Sequence, residues 1–428
     1  MTSCRVLAIV LAGGQGKRLL PLTMGRAKPN VPYGGMFRLI DFVLSNLTNA
    51  GYLKIVVLTQ YQSQSLDRYI ARGWQVSSRV GHYIASVPAQ NQFGPHWFNG
   101  SADAILQNLH LLKDDPPDYV LVFGADHVYR MDPAQMVAQH AASGAGVTVA
   151  AIRQPRALAH QFGVIECAPG TRRITGFAEK PRHAAGLPGA PEEIRASMGN
   201  YVFTTQALVE AVQEDALDTS SRHDIGADII PMLTRAGRAE IYDFTGNAVP
   251  GVSARERGYW RDVGTLDAYY DAHMDLIGPD PAFTLASEHW PIRTFHDLLA
   301  PVKFQCGGER PGRAIDSLVS PGVLVSGEAV VERSVLSPQV TLEAGAQVSG
   351  CVLMENVRVG RNAMVRRAVV DRDVIIPDGA RIGFDPDLDR ERYTVTDAGI
   401  VVVGGEAVRP LDELYPVTAI SDSLPNHR

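Results

Sequence analysis

Apolar and polar positions divide the chain into two regimes. Up to about residue 275, short apolar runs alternate with stretches of helical period. Val6 to Leu11 is a continuous apolar run, the pattern of a strand buried on both faces of a parallel sheet. Lys54 to Thr59, Tyr119 to Phe123 and Val147 to Ile152 repeat it. Asp103 to Lys113 and Pro133 to Ala142 suit helices, the second with Asp132 as N-cap and Pro133 at the first helical position. This alternation predicts an α/β domain over 1–275, with a mainly parallel sheet covered by helices on both faces. Ligands then belong at the carboxyl ends of the strands. Residues 276–312 lose the rhythm and collect Pro279, Pro281, Pro291, Pro301 and Pro311, the composition of a linker.

Past the linker the chain repeats itself. Val323, Val340, Val357 and Val374 recur every 17 residues, and Val325, Leu342, Val359 and Ile376 keep the same step. So do Ala329, Ala346, Ala363 and Ala380, and Val331, Val348, Val365 and Ile382. Columns of small and β-branched residues at a fixed period predict a parallel β-helix over 313–428, with valines stacked inside and alanines at the corners. Residues after about 390 read as a capping strand and a tail.

Length and composition fit this division. A chain of 428 residues exceeds one ordinary domain. A net charge of -6 provides no basic face for nucleic acid. Cys4, Cys167, Cys306 and Cys351 lie far apart, and the histidines form no metal-finger spacing, so neither a disulfide framework nor a structural zinc is expected. No apolar run approaches the roughly 20 residues of a membrane span. A cytoplasmic protein is expected.

The first strand leads into Gly13, Gly14 and Gly16, then Lys17, Arg18, Arg26 and Lys28. Glycines let backbone N–H groups turn towards an anion, and the cations that follow make the segment a cradle for a polyphosphate. Two commoner phosphate motifs are excluded. The dinucleotide fingerprint would need glycine or alanine at Leu19, and the P-loop would need glycine at Leu11 and serine or threonine at Arg18.

With its G-G-x-G-x-R-L-x-P-L-T and K-P elements, this stretch resembles the sugar-nucleotide pyrophosphorylases. The run R-A-K-P-x-V, then Gly34 to Asn46 (G-G-M-F-R-L-I-D-F-V-L-S-N), is similar to their ADP-glucose-forming branch. The resemblance implies a Rossmann-like nucleotidyltransferase domain followed by a left-handed hexapeptide-repeat β-helix. It implies transfer of the adenylyl group of ATP to glucose 1-phosphate, giving ADP-glucose and pyrophosphate for α-1,4-glucan (glycogen) synthesis, in a homotetramer.

The resemblance also assigns residues. Asp126, after the strand Tyr119 to Phe123, and the remote Asp262 would hold Mg²⁺. Arg18 and Lys28 would stabilise the leaving pyrophosphate, and the Gly13, Gly14 and Gly16 amides would hold it. Because the attacking phosphate is already ionised, the reaction needs positioning and charge neutralisation rather than a general base. Gln60 and the segment Trp97, Phe98, Gly100 and Ser101 would meet the base, with Phe98 presenting its ring and Gly100 letting adenine lie on the backbone. Gly163, Glu179, Lys180, Ser197 and Asp224 would hold glucose 1-phosphate, Lys180 on its phosphate.

Regulation is the point of departure from the family. Gly25 stands where relatives activated by fructose 1,6-bisphosphate often carry lysine, and Pro32 where some relatives have histidine. Arg26 and Arg38 remain, and the repeat region adds Arg358, Arg361, Arg366, Arg367 and Arg372, so a different anionic effector between the domains is expected. Competing readings are a UDP- or dTDP-sugar pyrophosphorylase, a hexapeptide-repeat acyltransferase, and an inactive regulatory subunit. Val323 to Gly383 holds no histidine for the second, and the presence of Asp126, Asp262, Lys180 and Arg18 weighs against the third.

Overall fold

A computed structural model describes residues 4–89, 97–113 and 115–404. The centre of the first domain is the strand Val6–Ala12, lying parallel between Lys54–Thr59 and Tyr119–Gly124. Ala8, Val10 and Ala12 enter one buried cluster and Leu7 and Ile9 the other. A strand whose alternate side chains are both buried needs the continuous apolar run seen in the sequence. Tyr83–Pro88 extends the parallel part beyond Lys54–Thr59. On the other side the long strand Glu193–Thr204 runs antiparallel to both Tyr119–Gly124 and Val147–Pro155, within a nine-stranded sheet.

Helices Leu39–Asn49 and Ser63–Gly73 cover one face through Ile40, Val43, Leu44, Leu66 and Ile70; Ile105, Leu208 and Val212 cover the other. Helix Pro133–Ser143 has the expected cap, Asp132 accepting from the Ala134 amide. The helix expected over 103–113 is shorter and breaks: an α-helix spans Ser101–Gln107 and a 3₁₀ turn spans Leu109–Leu112. At the break the Asn108 side chain donates to the Ala104 carbonyl, a local bond that competes with the helix ladder.

The second domain is a three-faced parallel prism whose rungs step by 17 residues, as in Leu324↔Thr341↔Arg358↔Ile375. Its first strand, Lys303–Phe304, lies inside the expected linker 276–312. The inner columns of Val, Leu and Ile are buried as expected. The corners differ from the sequence reading. Ala329, Ala346 and Ala363 pack inside, while the turn is made by the residue before each. Glu328, Gly345, Asn362 and Gly379 all have left-handed backbone. Two further left-handed columns, Gly322, Gln339, Asn356, Asp373 and Asp316, Arg333, Gly350, Arg367, form the other corners. The strand Val401–Val403 closes the prism against Ala368–Val370. The expected tail beyond 404 lies outside the described residues.

Helix Leu266–Met274 ends the first domain, and the segment after it straps back across that domain. Trp290 Nε1 donates to Asn46, and the Arg293 amide to Ser45. The prism docks through a shared apolar cluster that joins Val352, Met354, Val369 and Val402 to Leu19, Leu22, Tyr33 and Tyr269. Among the described residues no helix is long and apolar enough to cross a membrane.

Candidate active site

The glycine turn opens at the carboxyl end of Val6–Ala12. Gly16 has φ +65, and a Cβ there would stand 2.9 Å from Thr23 Cγ2 and 3.1 Å from Lys28 Cβ. At Gly14 nothing lies within 4 Å of that position, so the turn faces open space. Lys28 sits in the short 3₁₀ turn Lys28–Asn30 and is buried.

Two carboxylates distant in sequence converge on Lys28. Its Nζ lies 2.7 Å from Asp126 Oδ2 and 3.9 Å from Asp262 Oδ1. The cause is a two-stranded ribbon: His127–Tyr129, following Asp126, pairs antiparallel with Trp260–Asp262, and the register sets Asp262 opposite His127. The Arg18 guanidinium completes the rim beside Gly264, where a Cβ would meet Asp262 Oδ2 at 3.0 Å and Arg18 Nη2 at 3.3 Å. Burial would raise the Asp126 carboxyl, but Lys28 and His127 beside it prevail and hold it well below the usual carboxylate range. It is therefore a carboxylate at neutral pH, with 33 % of its side chain open to the cleft.

Asp126, His127 and Asp262 each offer a ligand atom, all within 4.8 Å of one another. Two carboxylates beside an open phosphate cradle suit a divalent cation that prefers oxygen. His127 went unassigned in the sequence. It stands in the same G-A-D-H run, and only the ribbon register reveals that it touches both aspartates.

On the base side Gln60 lies against the turn, its Oε1 3.7 Å from a Cβ at Gly13, and its Nε2 donates to the Phe98 carbonyl. One expectation is corrected here. Phe98 does not present its ring, which is buried in the core with Leu7, Val56 and Ile105; the exposed ring is Trp97, stacked on Tyr61 with centroids 6.0 Å apart. A Cβ at Gly100 would fall 2.2 Å from the His223 carbonyl oxygen, so on that side the glycine serves a tight backbone crossing. Ser101 donates to Asp224 Oδ2.

On the sugar side Glu179 and Asp224 meet around Gly226, where a Cβ would stand 3.0 Å from Glu179 Oε2 and 3.4 Å from Asp224 Oδ1. Asp224 also caps the helical turn after it, accepting from the Ala227 amide. Lys180 has left-handed backbone (φ +47), and its Nζ pairs with Glu179 at 2.7 Å. At Gly163 a Cβ would stand 2.4 Å from the Phe177 ring and 3.0 Å from Glu179 Oε2. Ser197 Oγ accepts from the Gly199 amide and faces the Tyr201 hydroxyl at 3.4 Å. Tyr201 was also missed in the sequence, although it ends the same A-S-M-G-N-Y run.

The predicted effector arginines divide. Arg26 pairs with Asp371 of the prism at 2.5 Å, and Arg38 with Glu355 at 3.1 Å. Both line an interdomain cavity of about 400 Å³, together with Arg372 and with Arg68 and Arg72, which sequence reasoning passed over. Arg366 and Arg367 do not reach it. The first donates to the Gly383 carbonyl and stacks on Phe384, and the second donates to the Ala398 carbonyl. Arg358 pairs with Glu343 on the prism.

Known proteins share both domains. The family model described as Nucleotidyl transferase matches residues 7–278, and one described as GlmU-like, C-terminal hexapeptide, matches 300–403. The glucose-1-phosphate adenylyltransferase of Frankia casuarinae is 58% identical over 406 residues, covering 94% of this chain and 98% of the relative. Its counterpart from Acidothermus cellulolyticus is 58% identical over 410 residues, with coverage of 94% and 98%, and that from Corynebacterium diphtheriae is 56% identical over 400, with coverage of 93% and 92%. With more than half its length matched to the first model and nearly all of it aligned to such relatives, the chain belongs to the nucleotidyl transferase family.

Proposed function

We propose that the protein transfers the adenylyl group of ATP to glucose 1-phosphate, giving ADP-glucose and pyrophosphate. The observation that carries this reading is the meeting of Asp126, Asp262 and Lys28 beside the open glycine turn. The names of the relatives support the choice of substrates.

The turn's amides and Arg18 grip the β- and γ-phosphates. Lys28 is held against Asp126 until a phosphate competes for its ammonium, and then neutralises charge on the departing pyrophosphate. Asp126 and Asp262 hold Mg²⁺, which when bound supplies charge neutralisation at the phosphates. Glu179, Asp224 and Ser197 accept or share the sugar hydroxyls, and Lys180 exchanges Glu179 for the sugar phosphate. That phosphate is a dianion or monoanion at neutral pH, so its oxygen attacks the α-phosphorus with no side chain taking a proton, and the P–O bond to pyrophosphate breaks.

The cavity lined by Arg26, Arg38 and Arg372 supports regulation by an anionic metabolite, and Gly25 and Pro32 favour one other than fructose 1,6-bisphosphate. A homotetramer joined partly through the prism is the assembly that the resemblance suggests, and light scattering measures it. Initial rates with each nucleoside triphosphate and sugar 1-phosphate test the activity. ATP with glucose 1-phosphate and Mg²⁺ is the expected best pair; preference for UTP or dTTP refutes it. Asp126→Asn is expected to lower kcat on the order of 10³-fold while circular dichroism stays unchanged.

A further inference from the structure

The segment expected to meet the base and the segment expected to meet the sugar are stitched together. The Ser101 hydroxyl donates to Asp224 Oδ2 at 2.9 Å and accepts the Ile225 amide at 2.8 Å. One residue on, the Ala102 amide donates to the His223 carbonyl at 2.7 Å. Gly100 permits the crossing: a Cβ there would also stand 2.5 Å from the Arg222 carbonyl oxygen, closer than any other residue type allows.

The sugar-side segment is also pinned from behind. His223 has left-handed backbone (φ +54), and its Nδ1 lies 2.8 Å from Asp215 Oδ2. Ser221 Oγ donates to the other oxygen of Asp215 at 2.6 Å and accepts the His223 amide at 2.9 Å. Asp215 is buried at the end of the helix Thr205–Asp215. A non-glycine residue in the left-handed region persists only where its surroundings hold it, and such positions gather at ligand sites. The residue this anchoring places is the next one, Asp224.

Asp224 is held at both oxygens. Oδ1 accepts the Ala227 amide at 2.9 Å and Oδ2 the Ser101 hydroxyl. A carboxylate offers about four acceptor sites, so about two remain for a ligand. Held at Oδ1 alone, the carboxyl could swing about that one bond; held at both, it presents its remaining lone pairs in fixed directions beside Glu179. Selection of a hydroxylated substrate requires acceptors fixed in this way. Ser101 has a single proton to give. That proton goes to Asp224, and the Ile225 amide takes a lone pair, so a residue on the base-side segment works for the sugar side.

We propose that Ser101 is a positioning residue for glucose 1-phosphate: its hydroxyl fixes the Asp224 carboxylate that accepts a sugar hydroxyl. The proposal rests on the transferase reading above, and its test is separable from that reading.

Initial rates are measured with ATP and glucose 1-phosphate varied separately. Ser101→Ala is expected to raise the KM for glucose 1-phosphate about tenfold and to leave the KM for ATP within about twofold of the parent. Ser101→Thr, which keeps the hydroxyl, should stay within about threefold on both. Combined with Asp224→Ala, Ser101→Ala should leave the sugar KM at the value of Asp224→Ala alone, because one residue acts through the other. A residue that merely braced the fold would raise both KM values and add to Asp224→Ala; either result overturns the proposal. A raised KM for ATP with an unchanged KM for the sugar would return Ser101 to the base and overturn it too. So would no change in either, or Ser101→Thr as poor as Ser101→Ala. If Ser101→Ala does not fold, Ser101→Cys takes its place with the same expectation, since a thiol is a weak donor. ADP-glucose titrated into the same proteins and followed by calorimetry should rank them as the sugar KM does, and a different order overturns the proposal. Failure of the transferase reading looks different: the parent forms no ADP-glucose from ATP and glucose 1-phosphate.

Discussion

Alanine at Gly14 and alanine at Gly16 separate the phosphate cradle from the fold. At Gly14 the backbone is outside the left-handed region, and a methyl would meet nothing within 4 Å. The substitution therefore adds no strain, and the loss of unfolded-state freedom should stabilise the protein by about 0.4–1 kcal/mol. The methyl would stand where the proposed triphosphate meets the turn's amides. Losing one preorganised donor slows reactions of this type by about 10²–10³-fold, roughly 2.7–4 kcal/mol of transition-state stabilisation.

Gly16→Ala inverts the pattern. Left-handed backbone costs a non-glycine residue about 1–2 kcal/mol. Crowding Thr23 Cγ2 at 2.9 Å and Lys28 Cβ at 3.1 Å adds about 1–3 kcal/mol. Urea unfolding measures the first effect, and pyrophosphate release in the steady state measures the second. Gly14→Ala should be at least as stable as the parent and nearly inactive, whereas Gly16→Ala should be destabilised. Full turnover with an ordinary KM for ATP in Gly14→Ala would show that the open space is not where phosphate binds.

Other consequences can be measured directly. Arg26→Met strands the Asp371 carboxylate, which among the described residues retains only the Arg372 amide at 2.7 Å, so it should lose about 3 kcal/mol in urea unfolding; Arg26→Met with Asp371→Leu should recover most of that. His273 is buried, donating from Nδ1 to the Tyr269 carbonyl and accepting the Gly34 amide at Nε2, and burial lowers its pKa from 6.5 to about 4. The unfolded chain takes up that proton first, so stability present above about pH 6.5 is lost as pH falls towards 4, by about 3 kcal/mol. His273→Gln should flatten that slope in pH-dependent melting, and an unchanged slope would remove His273 as its cause. His140, held between Thr148 and Thr204 and also lowered to about 4, should retain its own share of the slope in that variant.

What the sequence reveals depends on the range of the interaction. The strand Val6–Ala12 and the prism columns are local patterns of burial, and both are plain in the chain. The 17-residue step even locates the rungs, though not the corners. A left-handed backbone is tolerated by Glu328 and Asn362 as well as by Gly345 and Gly379, so no single residue type marks it. The site is harder to read. Asp126 is suggested by its place after a strand, but nothing near Asp262 indicates that a ribbon returns it to Asp126. Phe98 misleads for a related reason. Its residue type suits a ligand equally well, and only its packing in one core cluster with Ile105 assigns its ring to the fold.

One ionic link between the domains is also too short to notice in the sequence. Arg26 and Lys28 are separated by one residue, and each is a buried cation with an acidic partner far along the chain. Arg26 faces the prism through Asp371, and Lys28 faces the candidate metal site through Asp126. Between them Ala27 is buried in the core, and Pro29 follows at once. Neither ion pair relaxes freely, because leaving one partner buried alone is costly. Asp371 of the prism and Asp126 of the candidate site thus hold the two ends of one short backbone segment. The prism and the phosphate cradle therefore meet at one three-residue segment, Arg26 to Lys28, and breaking either ion pair leaves a buried charge at that junction.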